Sequence, residues 1–315
     1  MPNDFQQVEW DALVEDECRR LVRAAVLEDL DRGQDWTTVA LVPMEAVGKA
    51  AIVARQSGVI AGLPVVELII DEMDARMHFD PPSPGELRMS GGTHVERGTR
   101  LGLLSGPARS LLTVERLILN FLGRLSGIAT QTRRFVELVA GTKARVYDTR
   151  KTTPGWRRLE KYAVRQGGGH NHRTGLFDAI LIKDNHLALG GSGAGESHFA
   201  PAEAVRRARQ FALENFPPED PRRAMIVEVE VDSLAQCRAV LAKSPDIVLL
   251  DNMSLDDLQA AVALRNELAP AVELEASGGV SLATIGEIAR TGVDRISAGA
   301  LTHSAISLDV ALDWM

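Results

Sequence analysis

The spacing of hydrophobic residues along this chain changes near residue 143. In the first part, apolar residues recur at roughly helical intervals over residues 8–31 and 109–139. Between these two segments lie short apolar runs separated by proline, glycine and aspartate, a pattern typical of strands joined by turns. The pattern predicts two helices, the second interrupted near Ser126-Gly127, and strands at residues 50–53, 58–60 and 95–104.

From residue 144 onward, short β-branched runs alternate with helical patterns. The runs cover residues 144–146, 179–182, 226–231, 247–250, 272–276 and 295–296. The helical patterns cover residues 202–213, 234–241, 255–268 and 282–290. Strands that alternate with helices indicate parallel βα units, and polar or glycine residues after the strands are typical of an α/β barrel. The sequence therefore predicts six barrel strands, with a seventh and an eighth left open.

Composition excludes several classes of protein. Hydrophobic residues make up 45% of the 315 residues, which suits a barrel joined to a smaller domain. The acidic N-terminal residues do not form a secretory signal, and no apolar run reaches the length of a membrane span. Cys18 and Cys237 lack the spacing of metal ligands, so we expect reduced, packed thiols in a cytoplasmic protein. Residues 190–197 and 215–223 are predicted to be surface loops without catalytic duty.

Positive charge is concentrated between Lys143 and Lys183. The chain has a formal net charge of −8, yet this segment holds ten Lys or Arg residues against three acids. Such a concentration fits a small polyanion better than a nucleic acid, which usually requires a broadly basic face. Three successive glycines at 167–169 lie in the same segment. We therefore interpret it as the anion-binding half of an active site.

Position relative to the predicted strands separates functional cations from ordinary surface charge. Arg150 and Lys151 closely follow one predicted strand, and Lys183 ends the next. Because cations at the ends of buried barrel strands are usually paired or functional, we interpret these three residues and Arg173 as an anion-binding set. Lys183 could instead form a Schiff base, which requires a desolvated amine. Helical spacing predicts a solvated face for Arg157, Arg158, Lys161 and Arg165.

Carboxylates and glycine-rich turns follow the later strands. Glu230 and Asp251 end neighbouring strands, where they could bind Mg²⁺ or sugar hydroxyls. Glu228 lies on the same strand face as Glu230, so either glutamate could be the acid that reaches the substrate. Glycines at strand ends let backbone N–H groups approach a phosphate. The ordinary alternatives are ion pairs with the lysines and simple βα turns. The two turns are Ser277-Gly278-Gly279 and Ser297-Ala298-Gly299.

The histidines do not predict a zinc site, because His170 and His172 have no third ligand nearby. We expect His172 to hydrogen-bond an anion and His170 to be structural. His186 and His303 are candidates for supporting roles around the site.

Many separate blocks of the chain, in the same order, resemble the quinolinate phosphoribosyltransferase family, the carboxylating nicotinate-nucleotide diphosphorylases of NAD biosynthesis. The resemblance runs from about Ala24 to Ser304. The blocks are LEDLDRGQDWTT, IVARQSGVIAGLPVVELI, ERLILNFLGRLSGIAT, DTRKTTPGWRRLEKYAV, GGGHNHRTGLFDAILIKDNH, VEVEVDSL, VLLDNM, EASGGV and GVDRISAGALTHSA. The sequence departs from the family pattern at Leu117, where a small polar residue is expected, and in the loops near 190–200 and 216–223.

The resemblance implies an α/β fold with an N-terminal α/β sandwich domain at residues 1–122 and an incomplete, open TIM-like barrel at 123–303. The tail at 304–315 is expected to pack on the first domain. It also implies a homodimer in which Arg116 of each subunit completes the site of the other, with higher oligomers left open. Quinolinate and 5-phosphoribosyl-1-diphosphate are the implied substrates and Mg²⁺ the implied cofactor, without nucleic acid or membrane partners.

The family's site residues are carried over motif by motif. The implied catalytic residues are Lys151, Lys183, Glu230 and Asp251. The implied substrate-binding residues are Arg116, Thr149, Arg150, Lys151, His172, Arg173, Lys183, Glu230, Asp251, Ser277, Gly278, Gly279, Ser297, Ala298 and Gly299. In this arrangement the cations surround the two carboxylates of quinolinate, and Lys151 lies between pyridine and diphosphate. Glu230 and Asp251 contact ribose hydroxyls and Mg²⁺, and the two turns bind the 5-phosphate.

Three rival hypotheses are kept beside this one. A relative with the same fold could accept a different pyridine or base. A Schiff-base lyase could be built on Lys183. A barrel could bind phosphate without catalysis, although the number of converging ionic side chains argues against that.

Overall fold

The computed structural model describes residues 4–82, 92–190 and 199–315. Within them the chain forms two compact units. The antiparallel unit contains residues 8–134, 152–169 and 301–315, and the parallel unit contains residues 1–7, 135–151 and 170–300. This division follows contacts and differs from the predicted domain boundaries. Residues 1–7 belong to the parallel unit, and residues 123–134, 152–169 and 301–303 belong to the antiparallel unit.

The elements follow in chain order. The helices are α1 (Ala12–Leu30), α2 (Trp36–Leu41), α3 (Leu63–Met73), α4 (Ala108–Leu138), α5 (Arg157–Gln166), α6 (Asp184–Gly190), α7 (Pro201–Asn215), α8 (Leu234–Leu241), α9 (Leu255–Leu268), α10 (Ile285–Arg290) and α11 (Ala300–His303). The strands are β1 (Val47–Ala54), β2 (Gly58–Ile60), β3 (His78–Asp80), β4 (Thr93–Val95), β5 (Arg100–Pro107), β6 (Arg145–Tyr147), β7 (Ile180–Ile182), β8 (Val227–Val231), β9 (Ile247–Asp251), β10 (Glu273–Ser277), β11 (Arg295–Ser297) and β12 (Val310–Trp314).

The antiparallel unit is built on a sheet with the strand order β12-β1-β5-β3. The tail of the chain thus supplies strand β12, which pairs with β1 in this unit. The run predicted as one strand at 95–104 is two strands, because Gly98, with φ +89°, turns the chain between β4 and β5.

Helix α4 is continuous, so the predicted interruption at Ser126-Gly127 is wrong. The small residues allow close packing at this point. The Ser126 hydroxyl accepts from the Ala61 N–H at 3.0 Å, and a side chain at Gly127 would meet the carbonyl oxygen of Ile306 at 2.2 Å. Small residues in a helix therefore indicated a packing contact and not a break.

The parallel unit is built on six strands in the order β6-β11-β10-β9-β8-β7. Each predicted βα strand is present within one or two residues of its predicted bounds. All neighbouring pairs are parallel, so the carboxyl ends of the six strands lie along one edge of the sheet. Strands β6 and β7 are the edges, and an isolated bridge joins Tyr147 of β6 to His170.

Three further expectations concern burial. Cys18 and Cys237 are buried, and burial raises the pKa of their thiols to about 12 and about 11, as expected for packing residues. Lys161 is fully buried, so its prediction as part of a solvated face is wrong; six successive residues of α5, Leu159 to Val164, lie in the interior. None of the described helices combines the length and apolar character needed to cross a bilayer.

The two predicted surface loops differ in what the structure describes. Residues 191–198, which hold most of the predicted Gly/Ser loop, lie outside the described residues. In the other loop, the Pro-rich segment forms a single 3₁₀ turn at Pro221–Ala224, capped by the side chain of Asp220.

Candidate active site

The predicted site residues of the parallel unit lie at the carboxyl ends of its strands. Lys183 follows β7, and Glu230 lies near the end of the neighbouring strand β8. Asp251 ends β9 and pairs in register with Ser277, the last residue of β10. Because parallel strands present these ends at one edge, the order of the sheet brings together residues that are far apart in sequence.

Lys183 and Glu230 form an ion pair between the ends of β7 and β8. The Lys183 side chain is 43% exposed, whereas that of Glu230 is only 13% exposed. A Schiff-base lysine requires a desolvated, neutral amine, so this exposed and ion-paired ammonium argues against the lyase hypothesis.

A cavity of about 560 Å³ opens beside this ion pair. Four carboxylates line it, from Asp184, Glu230, Asp232 and Asp251. Carboxylate oxygens are the donors that Mg²⁺ prefers, and a Mg²⁺ ion usually keeps several waters, for which a cavity of this size has room. The donor set therefore fits the predicted cofactor.

The guanidinium groups of Arg150 and Arg173 interact electrostatically. Burial is the main cause that lowers the pKa of Arg173, and the positive charge of Arg150 lowers it further. Arg173 is 7% exposed, and its side chain donates to the carbonyl oxygen of Ala179 at 3.4 Å. Arg150 is exposed, and the carboxylates of Glu228 and Asp178 act on the pKa of Arg173 in the opposite direction. Two neighbouring guanidinium groups, one of them nearly buried, are typical of an anion-binding site.

Asp148, which the sequence analysis did not select, joins the two loops that carry these arginines. Its carboxylate is fully buried. It accepts a hydrogen bond from the Asn171 side chain at 2.6 Å and another from the His172 N–H at 2.9 Å. The segments 148–151 and 170–173 are therefore tied together at their first residues. Only its place directly before Thr149 and Arg150 could have indicated this role.

The imidazole of His172 is enclosed by protein groups. Its Nδ1 accepts from the Arg173 N–H at 2.8 Å, which places the proton of the neutral ring on Nε2. Nε2 lies 3.0 Å from a carboxylate oxygen of Glu228 and 3.6 Å from one of Glu275. Both glutamates are fully buried. His172 thus supports the backbone of Arg173, and Glu275 is a second residue near the site that the sequence analysis missed.

Glu275 has an unusual environment for a carboxyl group. Removal from water is the main cause that raises its pKa from 4.5 to about 7, and the nearby Glu228 raises it further. His172, Ser297 and Arg295 act in the opposite direction. The carboxyl therefore holds its proton in the folded protein at a pH where the unfolded chain has lost it.

This difference predicts a pH-dependent contribution to stability. The stability that protonated Glu275 contributes is complete below pH 4.5 and decreases as the pH rises, until it is lost just above pH 7. Glu275→Gln, which stays neutral, should therefore become more stable relative to the wild type across this interval. Urea unfolding of both proteins at several pH values measures the difference, and a constant difference would contradict the assignment.

The turn after β10 requires glycine. Gly278 has φ +92°, and a side chain there would meet the amide oxygen of Asn252 at 2.1 Å. Asn252 in turn donates from its side chain to Asp251 at 2.8 Å. The absence of a side chain at Gly278 therefore leaves room for Asn252, which orients Asp251. A side chain at Gly279 would meet no atom within 4 Å.

The remaining predicted residues are placed as follows. Thr149 accepts from the Lys151 N–H at 3.0 Å, which shapes the turn after β6, and Lys151 is exposed. Ser297 ends β11 in register with Tyr147. Arg116 belongs to the antiparallel unit, where it lines a cavity of about 450 Å³ with Arg124 and others.

Comparison with known families decides which proteins this chain resembles. Residues 35–126 match the family described as quinolinate phosphoribosyl transferase, N-terminal domain, and residues 128–313 match the corresponding C-terminal domain. The chain belongs to the quinolinate phosphoribosyltransferase family. The predicted family, the α/β fold class with its open barrel and the class of enzyme are thereby confirmed.

Individual members of the family match over most of their length. The carboxylating nicotinate-nucleotide pyrophosphorylase of Mycobacterium leprae is 46% identical over 299 residues, which cover 95% of this chain and 97% of that protein. A decarboxylating quinolinate phosphoribosyltransferase of Nicotiana glauca is 36% identical, covering 93% and 81%. The solved nicotinate-nucleotide pyrophosphorylase of Francisella tularensis is 35% identical with a TM-score of 0.83, covering 99% and 100%.

Proposed function

We propose that this chain converts quinolinate and 5-phosphoribosyl-1-diphosphate to nicotinate mononucleotide, diphosphate and CO₂ in the cytoplasm. The observation that carries the proposal is the mixed charge at one edge of the parallel sheet. The nearly buried guanidinium group of Arg173 interacts there with that of Arg150, and an ion-paired lysine adjoins a cavity with four carboxylates. Such a site can bind a dicarboxylate and also stabilise positive charge on a sugar.

Quinolinate binding is assigned to the cations. Arg150 and Arg173 offer planar forks for the carboxylates, and Lys183 adds a point charge. His172 contributes through Arg173, whose N–H it binds at 2.8 Å. Lys151, exposed after β6, is assigned to the space between pyridine and diphosphate.

Ribose transfer is assigned to the carboxylates. When diphosphate leaves, positive charge develops on the ribose, and Glu230 and Asp251 stabilise it from the cavity wall. The pyridine nitrogen then bonds to the anomeric carbon. The same two residues would hold Mg²⁺, which offsets the negative charge of the diphosphate. The turns that begin at Ser277 and Ser297 are assigned to the 5-phosphate, through backbone N–H groups.

Decarboxylation needs no further group from the protein. Once the ring nitrogen is bonded to ribose, the pyridinium is positively charged. The C–CO₂ bond at position 2 breaks, its electron pair remains on the ring carbon beside that nitrogen, and a proton then replaces the carboxylate. The protein's part is to keep the ring oriented by the second carboxylate, through the cations already described.

A substrate comparison tests this proposal. With phosphoribosyl diphosphate and Mg²⁺, quinolinate should give nicotinate mononucleotide with diphosphate and CO₂ in equal amounts, and nicotinate should give no product. Use of nicotinate would favour a relative with another base specificity. Borohydride trapping of a carbonyl substrate on Lys183 would favour the lyase, and absence of diphosphate release with any substrate would favour a binding protein.

The homodimer with exchanged Arg116 predicts a specific result in mixing experiments. Arg116→Ala and Lys183→Ala should each be inactive alone. If each subunit lends Arg116 to the other, a mixed dimer has one site with both residues intact. Random mixing should therefore restore about a quarter of the wild-type activity, because half of the dimers are mixed and each has one working site. Activity that stays absent after subunit exchange would assign Arg116 to its own subunit.

A further inference from the structure

We propose that residues 4–7 act as a positioning segment that holds the loop of His172 and Arg173 in place for quinolinate. The segment lies in the parallel unit, where Asp4 binds the first residues of β6 and β11. This inference rests on the proposed function and adds residues that do not touch substrate. Three side chains carry it, each by a different contact.

Asp4 anchors the segment to two adjacent strands. Its carboxylate accepts from Arg145 at 3.0 Å and Tyr147 at 2.9 Å, both in β6, and from Arg295 at 2.9 Å, the first residue of β11. Burial alone would raise the pKa of Asp4, but these partners lower it below its ordinary value. The carboxylate is therefore charged and fixed at neutral pH.

Phe5 is buried in the parallel unit. It is 4% exposed and forms a hydrophobic cluster with Tyr147 at the end of β6 and Ala179 directly before β7. Its ring stacks on the imidazole of His172, with centroids 4.3 Å apart and planes inclined by 28°. One face of the His172 ring is thus covered by an aromatic side chain from the N-terminal segment.

The side chain of Gln7 binds both backbone groups of Asn171, the residue before His172, as a neighbouring β-strand would. Its amide oxygen accepts from the Asn171 N–H at 2.8 Å, and its amide nitrogen donates to the Asn171 carbonyl at 3.2 Å. Asn171 also binds Asp148, whose other oxygen accepts from the His172 N–H. The loop is therefore fixed from the segment on one side and from Asp148 on the other.

These contacts fix the position of the Arg173 backbone. The His172 ring is fixed by Phe5, and its Nδ1 fixes the Arg173 N–H at 2.8 Å. A binding group that shifts by about 1 Å loses much of its effect on an oriented substrate. Loosening the segment should therefore weaken quinolinate binding more than binding of phosphoribosyl diphosphate, which is assigned mainly to other strand ends.

Two variants and a matched control test the inference in the full chain. Gln7→Ala removes the pair of hydrogen bonds to Asn171, and Phe5→Leu keeps apolar volume but removes ring stacking. Gln6→Ala is the control, because Gln6 is the exposed neighbour of both residues. Calorimetry measures the Kd of quinolinate and of phosphoribosyl diphosphate separately, and thermal unfolding measures the melting temperature.

We expect Gln7→Ala and Phe5→Leu to raise the quinolinate Kd about tenfold, since two modest contacts are worth roughly this factor, while the Kd of phosphoribosyl diphosphate changes less than about twofold. The control should match the wild type. An unchanged quinolinate Kd in both variants, or equal weakening of both substrates, would overturn the inference. The wild-type protein is titrated with quinolinate first. If it binds no quinolinate, the proposed function fails, and this outcome is distinct from a failure of the inference about residues 4–7.

Discussion

Replacing Lys183 with alanine is expected to lower kcat by about a hundred- to a thousandfold, the effect typical of removing one group that stabilises transition-state charge. Lys183 is ion-paired with Glu230 at the adjoining ends of β7 and β8. The variant removes the point charge assigned to quinolinate and leaves Glu230, which is assigned to the ribose, without the ammonium that fixes its position. Lys151→Ala should have a comparable effect, because Lys151 is assigned to the space between the two substrates.

The matched control is Lys243→Ala, which removes an exposed lysine that follows α8. Steady-state assays with saturating quinolinate and phosphoribosyl diphosphate measure kcat, and circular dichroism verifies that each variant folds. Folding should be retained, because the Lys183 side chain is 43% exposed. Normal turnover in both the Lys183 and the Lys151 variants would remove the catalytic assignment.

Replacing Arg173 with alanine is expected to weaken quinolinate binding about a hundredfold or more, as for loss of one partner in a buried charge pair. The guanidinium group of Arg173 is nearly buried. Burial is the main cause that lowers its pKa, and the positive charge of Arg150 lowers it further. Because burial and the Arg150 charge together outweigh the attraction of Glu228 and Asp178, removing the charge should leave the melting temperature equal to or above that of the wild type. Loss of binding without loss of stability is the signature of a functional charge.

Arg173→Lys distinguishes charge from geometry. A lysine restores the positive charge but not the planar fork that binds a carboxylate through two hydrogen bonds, so we expect it to recover little affinity. Calorimetric titration measures the quinolinate Kd of the wild type, Arg173→Ala and Arg173→Lys. Wild-type affinity in Arg173→Ala would place the quinolinate carboxylates elsewhere.

The parallel sheet could be predicted from sequence because its signal is local. Each of its six strands is a short β-branched run followed by a polar or glycine residue, and the observed bounds agree within one or two residues. The interruption of α4 was predicted wrongly for the opposite reason. Whether Ser126-Gly127 breaks a helix or admits a neighbour depends on Ala61 and Ile306, which are distant in sequence.

The site could be predicted only in part. Residues at strand ends, such as Lys183 and Glu230, followed from the rule that parallel strands present their carboxyl ends at one edge. The surroundings of His172 did not follow, because Phe5 and Glu275 belong to no pattern that links them to residue 172. Lys161 was assigned to solvent by its helical spacing, whereas the packing of α5 buries it. Contacts between distant residues decide such cases, and spacing along the chain does not record them.

A crystal structure with quinolinate bound is the most direct test, since it shows whether the cations that follow β6 and β7, with Arg173 from the segment between these strands, surround one dicarboxylate. We predict the two carboxylates of quinolinate within hydrogen-bond distance of Arg150, Arg173 and Lys183, with the ring nitrogen directed towards the cavity lined by Glu230 and Asp251. Quinolinate bound away from these cations, or the three side chains directed to separate surfaces, would contradict it.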